Sequence, residues 1–329
     1  MSGGRIRICG AGPAGLIVGL QLQRQDIASR ILEKNKCITT SACGGGVSLD
    51  CLGYLKKLTG FDSEPFIEKH LKGVKLHYPN NYHSFTFKPS VILDRQKWLE
   101  ALSREYMQAG GQIEFNTNPQ GYDVDCSGPS EGVTAVKYVL DSVFGDDFLN
   151  LYLDKRFSTH YSWIFPEKHT TNIGLVGKFK QLDDFIEAKD ITGRIISKSA
   201  GLIPYGNYRL YEDGVFYLGD SGGMCNPLTL AGLAPIIYAS EILVKNLRKP
   251  ENYINEIQNH DLSHKSLMQY TRKYTSLPNP ELEKIGWILH QNQTQLDPKT
   301  LLKTLRHPQI TPTLKLMHKA IQKTKKYGW

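Results

Sequence analysis

Residues 5–19 constrain the fold of this chain more than any other stretch. Ile6, Ile8 and Cys9 are apolar or small and predict a short strand. The chain then turns through Gly10-x-Gly12-x-x-Gly15 into an apolar run that predicts a helix. Each glycine answers a different demand. Gly10 permits the tight turn, Gly12 lets backbone approach a pyrophosphate, and Gly15 lets the helix pack close to the strand. The helix N-terminus offers free N–H groups and the positive end of a dipole to phosphate oxygens. Arg30-Ile31-Leu32-Glu33 predicts a second strand, ending in an acid about 20 residues beyond the glycines, where a carboxylate accepts ribose hydroxyls. Strand, turn, helix and acid at these spacings predict an α/β domain of the Rossmann type that holds a dinucleotide. A glycine-rich turn in an unrelated fold would leave the position of Glu33 to chance.

With 329 residues, 40% hydrophobic and 22% charged, the chain can bury a large core as one big domain or two smaller ones. The first strand begins almost at once, leaving no room for a signal or transit peptide, and no apolar run approaches membrane-spanning length. The most apolar stretch, Leu228 to Val244, is broken by Pro235 and carries Glu241. A cytoplasmic protein is expected, with at most peripheral contact at a membrane. None of the six cysteines forms a C-x-x-C pair, so reduced thiols and no metal site are expected. The net charge of +8 gathers toward the C-terminus, at Lys315, Lys319, Lys323, Lys325 and Lys326. That pattern fits anionic headgroups or a diphosphate, and equally a solvated helix face. No nucleic-acid-binding motif accompanies it, so no nucleic-acid partner is expected.

Further along, Cys43-Gly44-Gly45-Gly46 reads either as backbone lying flat against a ligand or as a flexible loop. Residues 73–78 and 83–87 alternate in polarity around Pro79-Asn80-Asn81 and predict a hairpin. Asp94 is placed to cap a helix whose first turn carries Arg95, a position that an anionic ligand or plain surface exposure would explain. Tyr161, Trp163 and Phe165 share one face by period two, as a β core or as a wall for a long apolar ligand. Asn172–Val176 reads as their antiparallel partner, and residues 201–206 as a turn. A second strand-to-glycine junction, Gly219-Asp220-Ser221-Gly222, precedes a helix from about Gly232, and Asp220 suits a ribose or ribitol acceptor. Beyond Tyr238 the chain reads as mostly helical. His77, His83 and His160 stand singly in strand-like segments and read as structural.

Taken in order, Gly10-Ala11-Gly12-Pro13-Ala14-Gly15, Glu33, Cys43-Gly44-Gly45-Gly46-Val47, Asp94-Arg95, Asp125-Cys126-Ser127-Gly128, Tyr161-x-Trp163-x-Phe165-Pro166 and Gly219-Asp220-Ser221-Gly222 form a recognisable series. The series resembles the FAD-dependent geranylgeranyl reductases, within the wider p-hydroxybenzoate-hydroxylase-like flavoproteins. The likeness covers roughly residues 5 to 245. It implies that Gly10, Gly12, Ala14 and Gly15 hold the FAD pyrophosphate and Glu33 the adenosine ribose. It further implies that Arg95 touches FAD, that Cys43, Gly44 and Gly46 pass close to the isoalloxazine, and that Asp220 binds the ribitol side. Gly232 and Leu233 would face the flavin, and Tyr161, Trp163 and Phe165 would line a polyprenyl pocket. Cys43 is the candidate catalytic residue by position. Ser158 stands where the family carries proline.

The expected architecture is α/β, a Rossmann-type FAD-binding domain with an inserted antiparallel β-sheet substrate domain and a helical C-terminal region. The discontinuous FAD-binding domain takes residues 1–64, 90–128 and 205–245, the substrate domain 65–89 and 129–204, and the helical region 246–329. The expected activity is reduction of C=C bonds in geranylgeranyl chains of isoprenoid lipids or prenyl diphosphates. Ferredoxin or NAD(P)H would donate the electrons. A flavin-dependent monooxygenase or halogenase of the same fold is the alternative.

Overall fold

The computed structural model of the chain describes residues 4–40, 42–291, 310–324 and 327. Three sheets organise it. In the first, β1 (Ile6–Cys9) lies between β2 (Ser29–Leu32) and β9 (Val124–Asp125), parallel to both. Strands β8 (Gln112–Glu114) and β16 (Val215–Tyr217) extend it in parallel on either side, and β15 (Tyr211–Glu212) closes one edge antiparallel.

Helix α1 (Pro13–Arg24) follows β1 directly, with Gly12 as its N-cap and Pro13 at its first position, where a missing N–H costs nothing. Its residues from Ala14 to Leu22 are all buried because it packs against the sheet on one side and against α3 (Arg95–Gln108) and α5 (Leu233–Lys245) on others. Gly19 permits the contact with α3, since a Cβ there would stand 2.9 Å from the Tyr106 ring. Asp94 caps α3, its Oδ1 accepting from the Lys97 N–H at 3.1 Å. Ser48 does the same for α2 (Leu49–Thr59), accepting from the Cys51 N–H at 3.2 Å.

The second sheet has seven strands in the order β14-β10-β13-β12-β11-β5-β6. These are β5 (Gly73–His77), β6 (His83–Thr86), β10 (Val133–Leu140), β11 (Phe148–Tyr152), β12 (Ser162–Pro166), β13 (Thr171–Val176) and β14 (Ile195–Ile203). Its pairings are antiparallel except β11 with β5. One face, with Val136, Tyr138, Ile173 and Leu175, forms a core under α4 (Phe179–Ala188). The period-two alternation turns Ala135, Lys137, Asn172, Gly174, Trp163 and Phe165 to the opposite face.

The hairpin of β5 and β6 and the β12–β13 pair form as their patterning predicts. Two expectations change. Residues 201–203 are the end of β14 and not part of a turn, because they pair with Val133–Ala135. Residues 67–71, placed by sequence with the inserted sheet, form β4 (Ile67–Leu71) in a third sheet. There they pair antiparallel with β7 (Ser90–Leu93), which also pairs with β3 (Gly46–Ser48). Sequence patterning gives no expectation for β11, α4 or most of β14.

Helices α6 (Pro250–Asn259), α7 (Lys265–Thr275) and α8 (Asn279–Gln291), with the helix Thr311–Thr324, make up the described C-terminal region. The last two pack with α7 around a core that includes Leu267, Tyr270, Ile285 and Leu314. Lys325 and Lys326 lie outside the described residues. Among the described residues no helix is long and apolar enough to cross a membrane.

Candidate active site

A cleft of about 650 Å3 runs from the glycine turn after β1 to the open face of the seven-stranded sheet. Gly10, Gly12 and Ala14 line one end, with Glu33 beside them, and Arg95 lines the cleft as well. Gly10 sits at φ +96°, a left-handed conformation, and a Cβ there would meet the Cys126 carbonyl oxygen at 2.5 Å. Gly15 does not line the cleft. A Cβ on it would come within 1.9 Å of the Gly10 carbonyl oxygen, so it seats α1 behind the turn. Gly12 is different again: a Cβ on it would meet nothing within 4 Å, which leaves open space at the helix N-terminus.

Glu33 is buried and makes two short contacts. Its Oε2 accepts from the Ala11 N–H at 2.7 Å and its Oε1 from the Asn35 N–H at 2.8 Å. The carboxylate thus braces the turn. Each oxygen keeps a further lone pair for a sugar hydroxyl. Arg95 lies on α3 with its guanidinium 5.0 Å from the Trp98 ring centroid, and makes no ion pair among the described residues.

At the other end, Cys43, Gly44 and Gly46 lie against the aromatic face of β12. A Cβ on Gly44 would stand 2.6 Å from the Phe165 ring, and one on Gly46 2.9 Å from Leu149. The glycine run is therefore a close-packed segment and not a loose linker. Tyr161, Trp163 and Phe165 line the cleft in sequence, successive ring centroids 6.3 Å apart. Tyr161 precedes the strand itself and is held by a 2.6 Å hydrogen bond from its hydroxyl to the Thr229 carbonyl. Burial pushes that phenol well above its ordinary range.

A polar network backs this wall. The indole Nε1 of Trp163 donates to Asn172 Oδ1 at 2.9 Å, and Asn172 Nδ2 donates to the Cys43 carbonyl at 3.1 Å. Lys137 Nζ donates to the same carbonyl at 2.9 Å. Cys43 Sγ accepts from the Gly45 N–H at 3.4 Å.

Asp220, Gly232 and Leu233 line the cleft between its two ends, where α5 presents its N-terminus. Burial raises the Asp220 carboxyl, against a lowering hydrogen bond from Cys225 Sγ at 3.4 Å and the attraction of Arg95. Burial also pushes the Cys225 thiol well up. Leu230, in the turn before α5, holds φ +56°, a conformation rare for a side chain of its size.

The cleft therefore gathers every predicted site residue except Gly15. It adds Lys137 and Cys225, for which the sequence carries no motif, and Asn172 backs its aromatic wall. The residues fit a flavin dinucleotide: two helix N-termini open on it, the Arg95 cation lines it, and open space faces Gly12. Among the described residues no cluster of His, Cys, Asp or Glu could hold a metal ion.

The fold is that of solved flavin-dependent enzymes. Within that class, the chain is similar in sequence to digeranylgeranylglycerophospholipid reductase 3 of Methanosphaera stadtmanae, 22% identical over 91% of this chain and 94% of that protein. A geranylgeranyl bacteriochlorophyll reductase-like protein from Thermoplasma acidophilum has the same fold, with a TM-score of 0.79 at 18% identity, covering 94% of this chain and 98% of that one. A flavin-dependent halogenase from Xanthomonas campestris reaches a TM-score of 0.66 at 12% identity, over 98% and 96% of the two chains. No family model matches the chain.

Proposed function

We propose that this chain is an FAD-dependent reductase that hydrogenates C=C bonds of geranylgeranyl chains in isoprenoid lipids. The observation that carries the reading is the aromatic wall of Tyr161, Trp163 and Phe165 packed against the Cys43–Gly46 segment in the same cleft as the dinucleotide turn. The sequence likeness to reductases of geranylgeranyl lipids supports it.

Gly10, Gly12 and Ala14 would cradle the pyrophosphate at the start of α1, and Arg95 would touch FAD. Glu33 would accept the ribose hydroxyls and Asp220 those of the ribitol. Reduced FAD, when bound, supplies a hydride, and an isolated alkene takes that hydride on one carbon and a proton on the other. The alkene has no carbonyl to polarise, so the chain's own residues work by position. The three rings give the polyprenyl chain an apolar surface and exclude water. Gly44 and Gly46 let that surface approach the backbone without a side chain between them. Cys43 Sγ is the candidate to hold the proton. Electrons would come from a ferredoxin or NAD(P)H, and contact with a membrane surface would be peripheral.

The halogenase-like fold supports one rival, an oxygen-using flavoenzyme acting on an apolar substrate. Anaerobic stopped-flow absorbance separates the two. Dithionite-reduced enzyme mixed with a geranylgeranyl lipid is expected to reoxidise its flavin without oxygen. Flavin that stays reduced beside the lipid, with oxidised product forming only once air and substrate are both present, would overturn the reductase reading in favour of the rival.

A further inference from the structure

The outer edge of the seven-stranded sheet has no part in the proposed reaction. β14 is its last strand, paired with β10 on one side and with no strand of the described residues on the other. Its nine residues carry a row of backbone N–H and C=O groups that β10 does not use, and an exposed apolar edge of this kind is where another strand pairs. The apolar content is present: Ile195 is 38% exposed, Ile196 50% and Leu202 38%. A bulge goes with this exposure. Ser197 pairs with Val139 and Ile195 with Leu140, so Ile196 has no residue of β10 opposite it.

The order of residues along β14 says what fits it. Ile195-Ile196-Ser197-Lys198-Ser199-Ala200-Gly201-Leu202-Ile203 has two large apolar residues at each end and mostly small ones between. A second copy laid antiparallel about a two-fold axis at Ser199 brings Ile195 against Ile203, Ile196 against Leu202, Ser197 against Gly201 and Lys198 against Ala200. Apolar residues meet at both ends, and no like charges stand directly opposite. Lys198 is the strand's one charged residue, and its ammonium lies 4.8 Å from the ring centroid of Tyr138, its neighbour on β10, back from the open edge. Ser199 meets its own copy on the axis, and its buried hydroxyl has no hydrogen-bond partner among the described residues. Moving the axis to Ala200 would instead set Lys198 against Leu202 and Ile196 against Pro204, which has no N–H to give.

We infer that β14 is a self-association edge: two copies of this chain pair antiparallel along it about a two-fold axis at Ser199, joining their seven-stranded sheets into one. The pairing reaches the cleft. Leu202 and Ile203 line it, so the partner's Ile196 and the partner's Ile195 stand beside them and lengthen its apolar rim. One pair of strands makes an interface at the small end of the specific range, so a reversible dimer is expected. The inference is independent of the reaction assigned to the cleft.

Sedimentation equilibrium of the whole chain as purified, over roughly 1 to 100 µM, tests the inference. The wild type is expected to pass from monomer toward dimer across that range. Ala200 is exposed, so Ala200→Lys and Ala200→Glu add similar bulk and opposite charge against Lys198 of the other copy, twice by symmetry. Ala200→Lys is expected to weaken the dimer at least about tenfold, and Ala200→Glu to leave it as tight or tighter. Adding Lys198→Glu to Ala200→Lys is expected to restore association. Thermal midpoints measured alongside check that each variant keeps its fold. A wild-type chain still monomeric at about 100 µM would overturn the inference, and would leave the bulge and Lys198 as devices that keep this edge unpaired. A dimer that responds equally to Ala200→Lys and Ala200→Glu would overturn it as well, because residue 200 would then not face Lys198.

Discussion

At the scale of single residues, the three glycines of the turn do three separable things, and substitution pulls them apart. Gly12 holds φ −76°, which any residue adopts, and a Cβ there meets no protein atom. Gly12→Ala is expected to leave stability within about 0.5 kcal/mol, while FAD affinity falls at least about tenfold because the methyl occupies the space a phosphate needs. Gly15→Ala puts a Cβ 1.9 Å from the Gly10 carbonyl oxygen, so backbone must move. It is expected to cost roughly 3 kcal/mol and to lower the urea midpoint of the apoprotein. Flavin fluorescence titration and urea unfolding of both variants check the pair. Equal stability losses would contradict the assignment. Glu33 acts on the same turn from the other side. Glu33→Ala strands the Ala11 and Asn35 N–H groups, so weaker FAD binding should come with some loss of apoprotein stability.

At the scale of elements, the informative contact is between the Cys43–Gly46 segment and β12. Gly44→Ala forces the Phe165 ring to move. Turnover of geranylgeranyl lipid is expected to fall at least about tenfold with FAD still bound, since the methyl displaces a ring that lies far from the glycine turn. Steady-state kinetics with flavin content measured alongside checks it, and unchanged turnover would contradict a close-packed role for the segment. The same contact shows what the sequence could and could not reveal. The turn, the cap at Asp94 and the alternation of β12 and β13 are local signals, legible within a few residues. Lys137 and Asn172 also alternate correctly on their strands, but alternation does not say which face meets the cleft. That depends on α4 covering the other face, and α4 has no strong cap in the sequence. The pairing of β11 with β5 joins segments far apart in the chain and carries no local signal. β14 is an exposed edge strand, so its apolar residues do not alternate as a half-buried strand's would.

For the whole molecule, the half-buried His77 and the buried His160 tie stability to pH. Burial pushes His77 and His160 down from 6.5 to about 4, offset at His77 by a 2.7 Å contact with Asn150 Oδ1. Both stay neutral in the fold while the unfolded chain takes up protons. Their contribution is therefore complete above pH 6.5 and is lost as pH falls through 6.5 toward 4, roughly 1–3 kcal/mol for each group. Urea midpoints measured from pH 7.5 to 4 should fall across that window, and His160→Gln should flatten the slope. A slope unchanged in the variant would contradict the assignment.

The central claim is that one cleft brings a flavin and a polyprenyl chain together for reduction. It is tested most directly by the mass of the lipid after a single anaerobic turnover of reduced enzyme. The account predicts a gain of two mass units on a geranylgeranyl chain, one double bond reduced per flavin reoxidised. A lipid of unchanged mass beside flavin that remains reduced would contradict it.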